Sequence, residues 1–367
     1  MQGSAHRPQR RVVIEPRELE QLLRAETLRL ARKLLPNGME NCGYYEIGSV
    51  AGDKGQSLKI NLSGSLKGCW TDFSAPKGTL EYSGDMLKLI AITKFGGRLG
   101  DAISWAISWL GLDGLDPARL ATERATAKRA AIAADEDQAA QAEKRRRNAM
   151  NLYLSGTSIA DTPAERYLIS RGIDLRAHGM AAPGSLKYQA DGVYCMEVQR
   201  KLPCMVAAVT NIEGRHVATH RTWIKEDGSG KADLKEPKKA LGKYQGGFIP
   251  IWKGDHKVSM ANLPKGTPIL CSEGIEDALT AAIARPQHRV IAAISLSNIG
   301  GLVLPDGCPL IILAQRDPPG SKAEASLEQA IARQQEAGRD VRLAFPPAGV
   351  KDINDLATKS GAQRNGW

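Results

Sequence analysis

The chain has 367 residues, 42% of them hydrophobic and only 5% aromatic, a length that accommodates two or three domains at roughly 100–200 residues each. Lys and Arg outnumber Asp and Glu by 50 to 40, a formal net charge of +10 that favours an acidic partner such as nucleic acid. No apolar run approaches the roughly 18 residues of a membrane span, and residues 1–8 hold no apolar signal core, so a cytoplasmic location is expected.

Six cysteines, Cys42, Cys69, Cys195, Cys204, Cys271 and Cys308, are widely spaced and form no C-x-x-C pair. That spacing argues against a disulfide scaffold and against a zinc ribbon. His216 and His220 are four apart, but their segment alternates like a strand, where this spacing does not build the ligand pair it would build on a helix. No zinc is expected.

Residues 1–34 read as a basic arm, with Arg7, Arg10 and Arg11, that becomes helical. Residues 35–112 read as a small sheet module. Ser57-Leu58-Lys59-Ile60-Asn61-Leu62 alternates as a half-buried strand, and Cys69-Trp70-Thr71-Asp72-Phe73 is its hairpin partner. Gly84-Asp85-Met86-Leu87 opens a helix, and a second helix ends near Trp109. Trp70 is expected in the core; Tyr44, Tyr45 and Phe73 are candidates for base stacking. Residues 113–155 are Ala-rich and charged, with Lys144-Arg145-Arg146-Arg147 at one end, and predict an exposed linker helix.

Residues 156–260 hold a short helix at Ala164-Glu165-Arg166-Tyr167-Leu168, a buried strand from Pro203, a return strand at His216-Val217-Ala218-Thr219-His220-Arg221, and then a lysine-rich stretch. In residues 261–367 apolar strands alternate with amphipathic helices, which predicts a parallel sheet covered on both faces. The overall class is α/β in this part and α+β for the whole chain.

Working residues of such a sheet sit just beyond the carboxyl ends of its strands. Here those positions carry Glu273 and Asp277, then Gln315-Arg316-Asp317, then Lys351-Asp352-Ile353-Asn354-Asp355. Hard oxygen donors on three adjacent loops suit Mg²⁺ or Mn²⁺, which keep several waters and engage phosphate.

Glu273-Gly274 with Asp277, the acidic loop after an apolar strand, and Lys351-Asp352-Ile353-Asn354-Asp355-Leu356 resemble the Toprim domain of bacterial-type primases, topoisomerases and some nucleases. Upstream, Tyr167-Leu168 with Arg171-Gly172-Ile173, the hairpin at 211–221 and Pro237-Lys238-Lys239 resemble the basic half of a primase catalytic core. Residues 41–112 are similar to the primase zinc-binding domain of phage and plasmid proteins, without its cysteine ligands. The resemblance implies a primase-like nucleotidyltransferase of a mobile element, making short primers on single-stranded DNA from nucleoside triphosphates, alongside a separate replicative helicase and no membrane. It implies catalytic roles for Glu273, Asp277, Asp317 and Asp352, with Glu273, Asp317 and Asp352 holding the metal. Arg221, Lys231, Lys235, Lys238, Lys239 and Lys243 would then bind nucleotide and template phosphates. Gln315 and Asn354 stand where the family pattern usually has carboxylates. That departure motivates the alternative of a catalytically weakened DNA-binding accessory protein; a Toprim nuclease is the third reading.

Overall fold

The computed structural model describes residues 14–41, 43–112 and 117–356; the Arg7, Arg10 and Arg11 arm and Cys42 lie outside them. The chain divides into two compact units, Met1–Gln141 and Ala142–Trp367.

In the first unit, helices α1 (Pro16–Ala25) and α2 (Thr27–Leu34) precede a five-stranded antiparallel sheet in sequential order: β1 (Met39–Asn41), β2 (Tyr44–Ile47), β3 (Leu58–Asn61), β4 (Trp70–Asp72) and β5 (Ser83–Gly84). The expected hairpin is β3–β4, with Ile60 opposite Trp70. Helices α3 (Met86–Phe95) and α4 (Leu99–Trp109) complete the unit. Asp85 caps α3 by accepting the Lys88 N–H at 2.7 Å. The Asp85 carbonyl also accepts the Trp70 indole N–H at 2.8 Å, so the buried ring has its polar edge satisfied in the core. Tyr45 is buried too, donating to the Leu35 carbonyl at 2.6 Å, whereas Tyr44 and Phe73 are exposed.

Helix α5 (Pro117–Leu154) follows, with the division between the units inside it. In the second unit, α6 (Pro163–Ser170) is capped by Thr162, whose hydroxyl accepts the Ala164 N–H at 3.2 Å. Strands β6 (Leu186–Cys195), β7 (Arg200–Thr210), β8 (His216–Trp223) and β9 (Lys238–Gly242) form an antiparallel sheet in that order. The lysine-rich stretch thus contributes a paired strand. The register sets Arg221 opposite Lys239 and Thr222 opposite Lys238.

The last sheet comprises β10 (Ile249–Trp252), β11 (Ile269–Ser272), β12 (Arg289–Ala292), β13 (Leu310–Leu313) and β14 (Val341–Ala344), in the order β10-β12-β11-β13-β14. Four strands are parallel, as their continuous apolar character predicts. Strand β10 joins antiparallel at one edge, so the sheet is mixed. Helix α7 (Ile275–Ala284) packs on the Leu270 and Val290 face, in one core with residues of the antiparallel sheet. Helices α8 (Leu296–Ile299) and α9 (Lys322–Glu336) cover the Ile269, Ile291 and Ile312 face. The chain leaves β11 towards β12 and returns to β13 on the other side. The switch point, and hence the expected ligand crevice, lies beyond the carboxyl ends of β11 and β13. Among the described residues no helix is long and apolar enough to cross a membrane.

Candidate active site at the strand ends

A cavity of about 250 Å³ opens at that switch point, and Glu273, Asp277, Gln315, Asp352 and Asn354 line it together with His220, Arg171, Lys231 and Lys238. Glu273 follows β11 directly, and Gly274 starts α7, which carries Glu276 and Asp277 in its first turn. The Glu273 carbonyl accepts the Ile294 N–H at 2.9 Å. Ile294 also lines the cavity, with φ at 77°. A β-branched side chain rarely adopts that left-handed conformation, and such strain concentrates at working sites.

Burial raises the Asp277 carboxyl to about 6, reinforced by repulsion from Asp352 and Glu276. Two neutral partners oppose this: the Asn354 N–H donates to Asp277 Oδ1 at 2.9 Å, and the Gln315 side chain hydrogen-bonds it as well. Of the two departures from the family's acidic pattern, Gln315 therefore supports Asp277 through its side chain, whereas Asn354 does so only through its backbone N–H. The Asn354 amide also donates to the Arg171 carbonyl at 2.9 Å and to the Thr280 hydroxyl at 3.1 Å, and the residue is 1% exposed. It fastens the last loop to α7 and to the turn after α6. Burial likewise raises the Glu273 carboxyl, with Asp317 and Asp277 adding to the rise against the pull of Lys238.

The expected metal set of Glu273, Asp317 and Asp352 does not close into one three-ligand site. Among the described residues no group of three His, Cys, Asp or Glu side chains is arranged to hold a metal ion. The physical reason is local. Asp352 Oδ1 accepts the Asp355 N–H at 2.8 Å as a helix cap, and Asp317 is not among the residues lining the cavity, although its charge reaches Glu273. The donor set still fits a hard cation shared with a ligand. Mg²⁺ is usually held by one or two carboxylates plus substrate phosphate, and Asn354 Oδ1 is a buried oxygen without a partner on the cavity wall. Arg316 is turned away from the site: its Nε donates to the Pro346 carbonyl at 2.7 Å and its guanidinium lies 5.5 Å from the Phe345 ring centre.

The six basic candidates separate. Lys231 and Lys238 reach the cavity. Gly228 positions the turn that delivers Lys231: it has φ 77°, and an added Cβ would lie 2.5 Å from the Pro163 carbonyl oxygen. Side chains alternate along a strand, so Arg221 and Lys239 share the face opposite His220, Thr222 and Lys238. There Arg221 lies 5.0 Å from the Trp223 ring centre and donates to the Lys239 carbonyl at 3.4 Å, while Lys239 pairs with Glu236 at 3.1 Å. Lys235 and Lys243 are exposed.

Three residues of this cavity, Arg171, His220 and Glu276, are not among the site residues expected from the sequence. Glu276 is 5% exposed, and its carboxylate accepts from the Tyr167 hydroxyl at 2.5 Å while pairing with Lys238 at 3.0 Å and Lys231 at 3.3 Å. Burial alone would raise its pKa, but the two lysines and the phenol hold it well below the carboxylate range. An acid beside the apolar positions Ile275 and Leu279 of α7 is the sequence signal that marks it.

Residues 269–363 match the Toprim domain family, and residues 143–251 match a domain of unknown function, DUF7146. The chain therefore carries a Toprim domain, the family that Glu273, Gly274 and Asp277 resemble. Among solved structures, the primase fragment of the bacteriophage T7 primase-helicase protein aligns at 12% identity over 58% of this chain and 79% of its own, with a TM-score of 0.34. A DNA primase domain from Pseudomonas aeruginosa aligns at 16% identity over 60% and 77%, with a TM-score of 0.40. The DnaG primase catalytic domain bound to ssDNA aligns at 16% identity over 62% and 81%, with a TM-score of 0.38. No curated protein matches the chain.

Proposed function

We propose that this chain is a primase-type nucleotidyltransferase that joins nucleotides on single-stranded DNA. One observation carries the reading: a single cavity, at the switch point of a Toprim sheet, is lined by both carboxylates and basic side chains. Asp277 and Asp352 would hold Mg²⁺ or Mn²⁺ together with substrate phosphate; when bound, the cation would supply charge neutralisation at the reacting phosphoryl group. Lys231, Lys238 and Arg171, which line the same cavity, would receive phosphate oxygens, the two lysines as point charges. A 3′-oxygen attacks the α-phosphorus, the bond to pyrophosphate breaks, and the hydroxyl proton passes through water to Glu273. A carboxylate whose pKa is raised towards neutrality suits that role better than an ordinary one. The partners on this reading are single-stranded template, nucleoside triphosphates and a separate replicative helicase.

A second reading, a DNA-binding accessory protein, is favoured by the lack of a three-carboxylate metal cluster among the described residues. Oligomer synthesis on single-stranded template, with Mg²⁺ or Mn²⁺ and either ribo- or deoxyribonucleotides, separates the two. The enzyme makes short products that vanish in Glu273→Gln. Template binding without product in either metal supports the accessory protein, and metal-dependent strand cleavage instead supports a nuclease.

A further inference from the structure

Glu276 is a buried carboxylate of the cavity that pairs with two lysines. It sits in the first turn of α7, held from behind by the Tyr167 hydroxyl, and bonds Lys231 through one oxygen and Lys238 through the other. Lys231 comes from the turn after β8 and Lys238 from the start of β9, so without a shared anion these two cations would repel each other. One carboxylate against two ammonium groups leaves a net positive charge, and each ammonium has three donors, so both retain N–H groups for another acceptor. The residues lining the same cavity carry two further polar atoms, His220 Nδ1 and Arg171 Nε, that are buried without hydrogen-bond partners; His220 is itself only 5% exposed. Oxygen-rich anions are the ligands that match such a lining.

We propose that Glu276 is a positioning residue that braces Lys231 and Lys238 into a phosphate-binding pair, in the same cavity as the carboxylates Glu273, Asp277 and Asp352. The phosphate belongs to the triphosphate of an incoming nucleotide or to the backbone of the template strand. This deepens the nucleotidyltransferase reading and rests on it for the identity of the ligand, but not for the phosphate chemistry. Tyr167, in the segment matching the domain of unknown function, supports the brace, so that segment contributes to a site on the Toprim domain.

The test is binding without turnover. Calorimetric titration of the full chain, in chelator, with inorganic triphosphate and separately with an unphosphorylated single-stranded oligonucleotide, compares wild type with Glu276→Gln. The amide keeps the shape and removes the charge. The brace predicts binding weaker by about tenfold, with a log–log salt slope shallower by about one for each phosphate no longer held; a change in packing alone would leave the slope unchanged. A loss confined to triphosphate assigns the pair to the nucleotide, and a loss confined to the oligonucleotide assigns it to the template. Should Glu276→Gln fail to fold, Lys231→Met, at a half-exposed position, must show the same loss. Unchanged or tighter binding of both ligands, with an unchanged salt slope, overturns the proposal. Failure to make primers leaves this result untouched, so the two readings fail separately.

Discussion

The Tyr167 hydroxyl and the Glu276 carboxylate meet at 2.5 Å across 109 residues of sequence. Burial pushes the phenol's pKa far up, so it stays a donor, and the carboxylate stays an acceptor. This bond ties α6 to α7. Tyr167→Phe removes the donor and leaves Glu276 with its two lysines. Denaturant unfolding should show a loss of about 1.5–3 kcal/mol, the range for a hydrogen bond to a charged group. Triphosphate binding should fall less than in Glu276→Gln.

Asn354 fills a family carboxylate position, yet its side-chain amide donates twice, to the Arg171 carbonyl and the Thr280 hydroxyl. Asn354→Asp, which restores the family pattern, removes both donations and buries a second negative charge beside Asp277. It should destabilise the fold by roughly 2–4 kcal/mol in denaturant titration and should not raise metal affinity.

His220 is buried, and burial first, then the charge of Lys238, pushes its pKa down to about 4 against the opposing pull of Glu276. In the unfolded chain it titrates near the ordinary histidine value of about 6.5. Between these values the unfolded state binds a proton that the folded state does not. Stability is therefore fully present above pH ~6.5 and falls as the pH drops towards 4, by about 3 kcal/mol in all for this group. Comparing the pH dependence of unfolding in wild type and His220→Gln isolates the contribution; the variant curve should be flatter in this window.

Arg221 stacks over Trp223 on the face away from the cavity. Arg221→Ala should cost about 1 kcal/mol by removing that stacking and packing and leave triphosphate affinity unchanged, whereas Lys238→Ala should lower that affinity at least severalfold. Titration calorimetry reads both.

Local patterns were enough for much of the scaffold. Helix α7 was legible as one of the amphipathic helices alternating with apolar strands, because its apolar residues recur at helical spacing. The parallel strands were legible as continuous apolar runs, and β3–β4 as an alternating hairpin. The cavity itself follows from the rule of strand ends. What sequence spacing did not reveal depends on long-range register. Arg221 and Lys238 look alike as basic residues, and only the pairing of β8 with β9 puts them on opposite faces. Gln315 and Asn354 read as missing ligands, and only the long-range contacts show that Gln315 supports Asp277 and that the Asn354 side chain ties the last loop to Arg171 and Thr280. Glu276 escaped notice because its three partners lie 38 to 109 residues away. The antiparallel edge strand β10 escaped for a similar reason: its residues Ile249, Pro250 and Trp252 pair with β12, beyond an intervening strand and helix.

The central claim is that one cavity joins carboxylates and a braced lysine pair into a site for a cation and a phosphate chain together. Manganese electron paramagnetic resonance tests it most directly, by titrating Mn²⁺ into the chain with and without a nucleoside triphosphate. The account predicts weak binding of Mn²⁺ alone, since no three described carboxylates close on a metal, and at least tenfold tighter retention with triphosphate. That enhancement should disappear in Glu276→Gln. Tight binding of Mn²⁺ alone, or no enhancement by triphosphate, would contradict it.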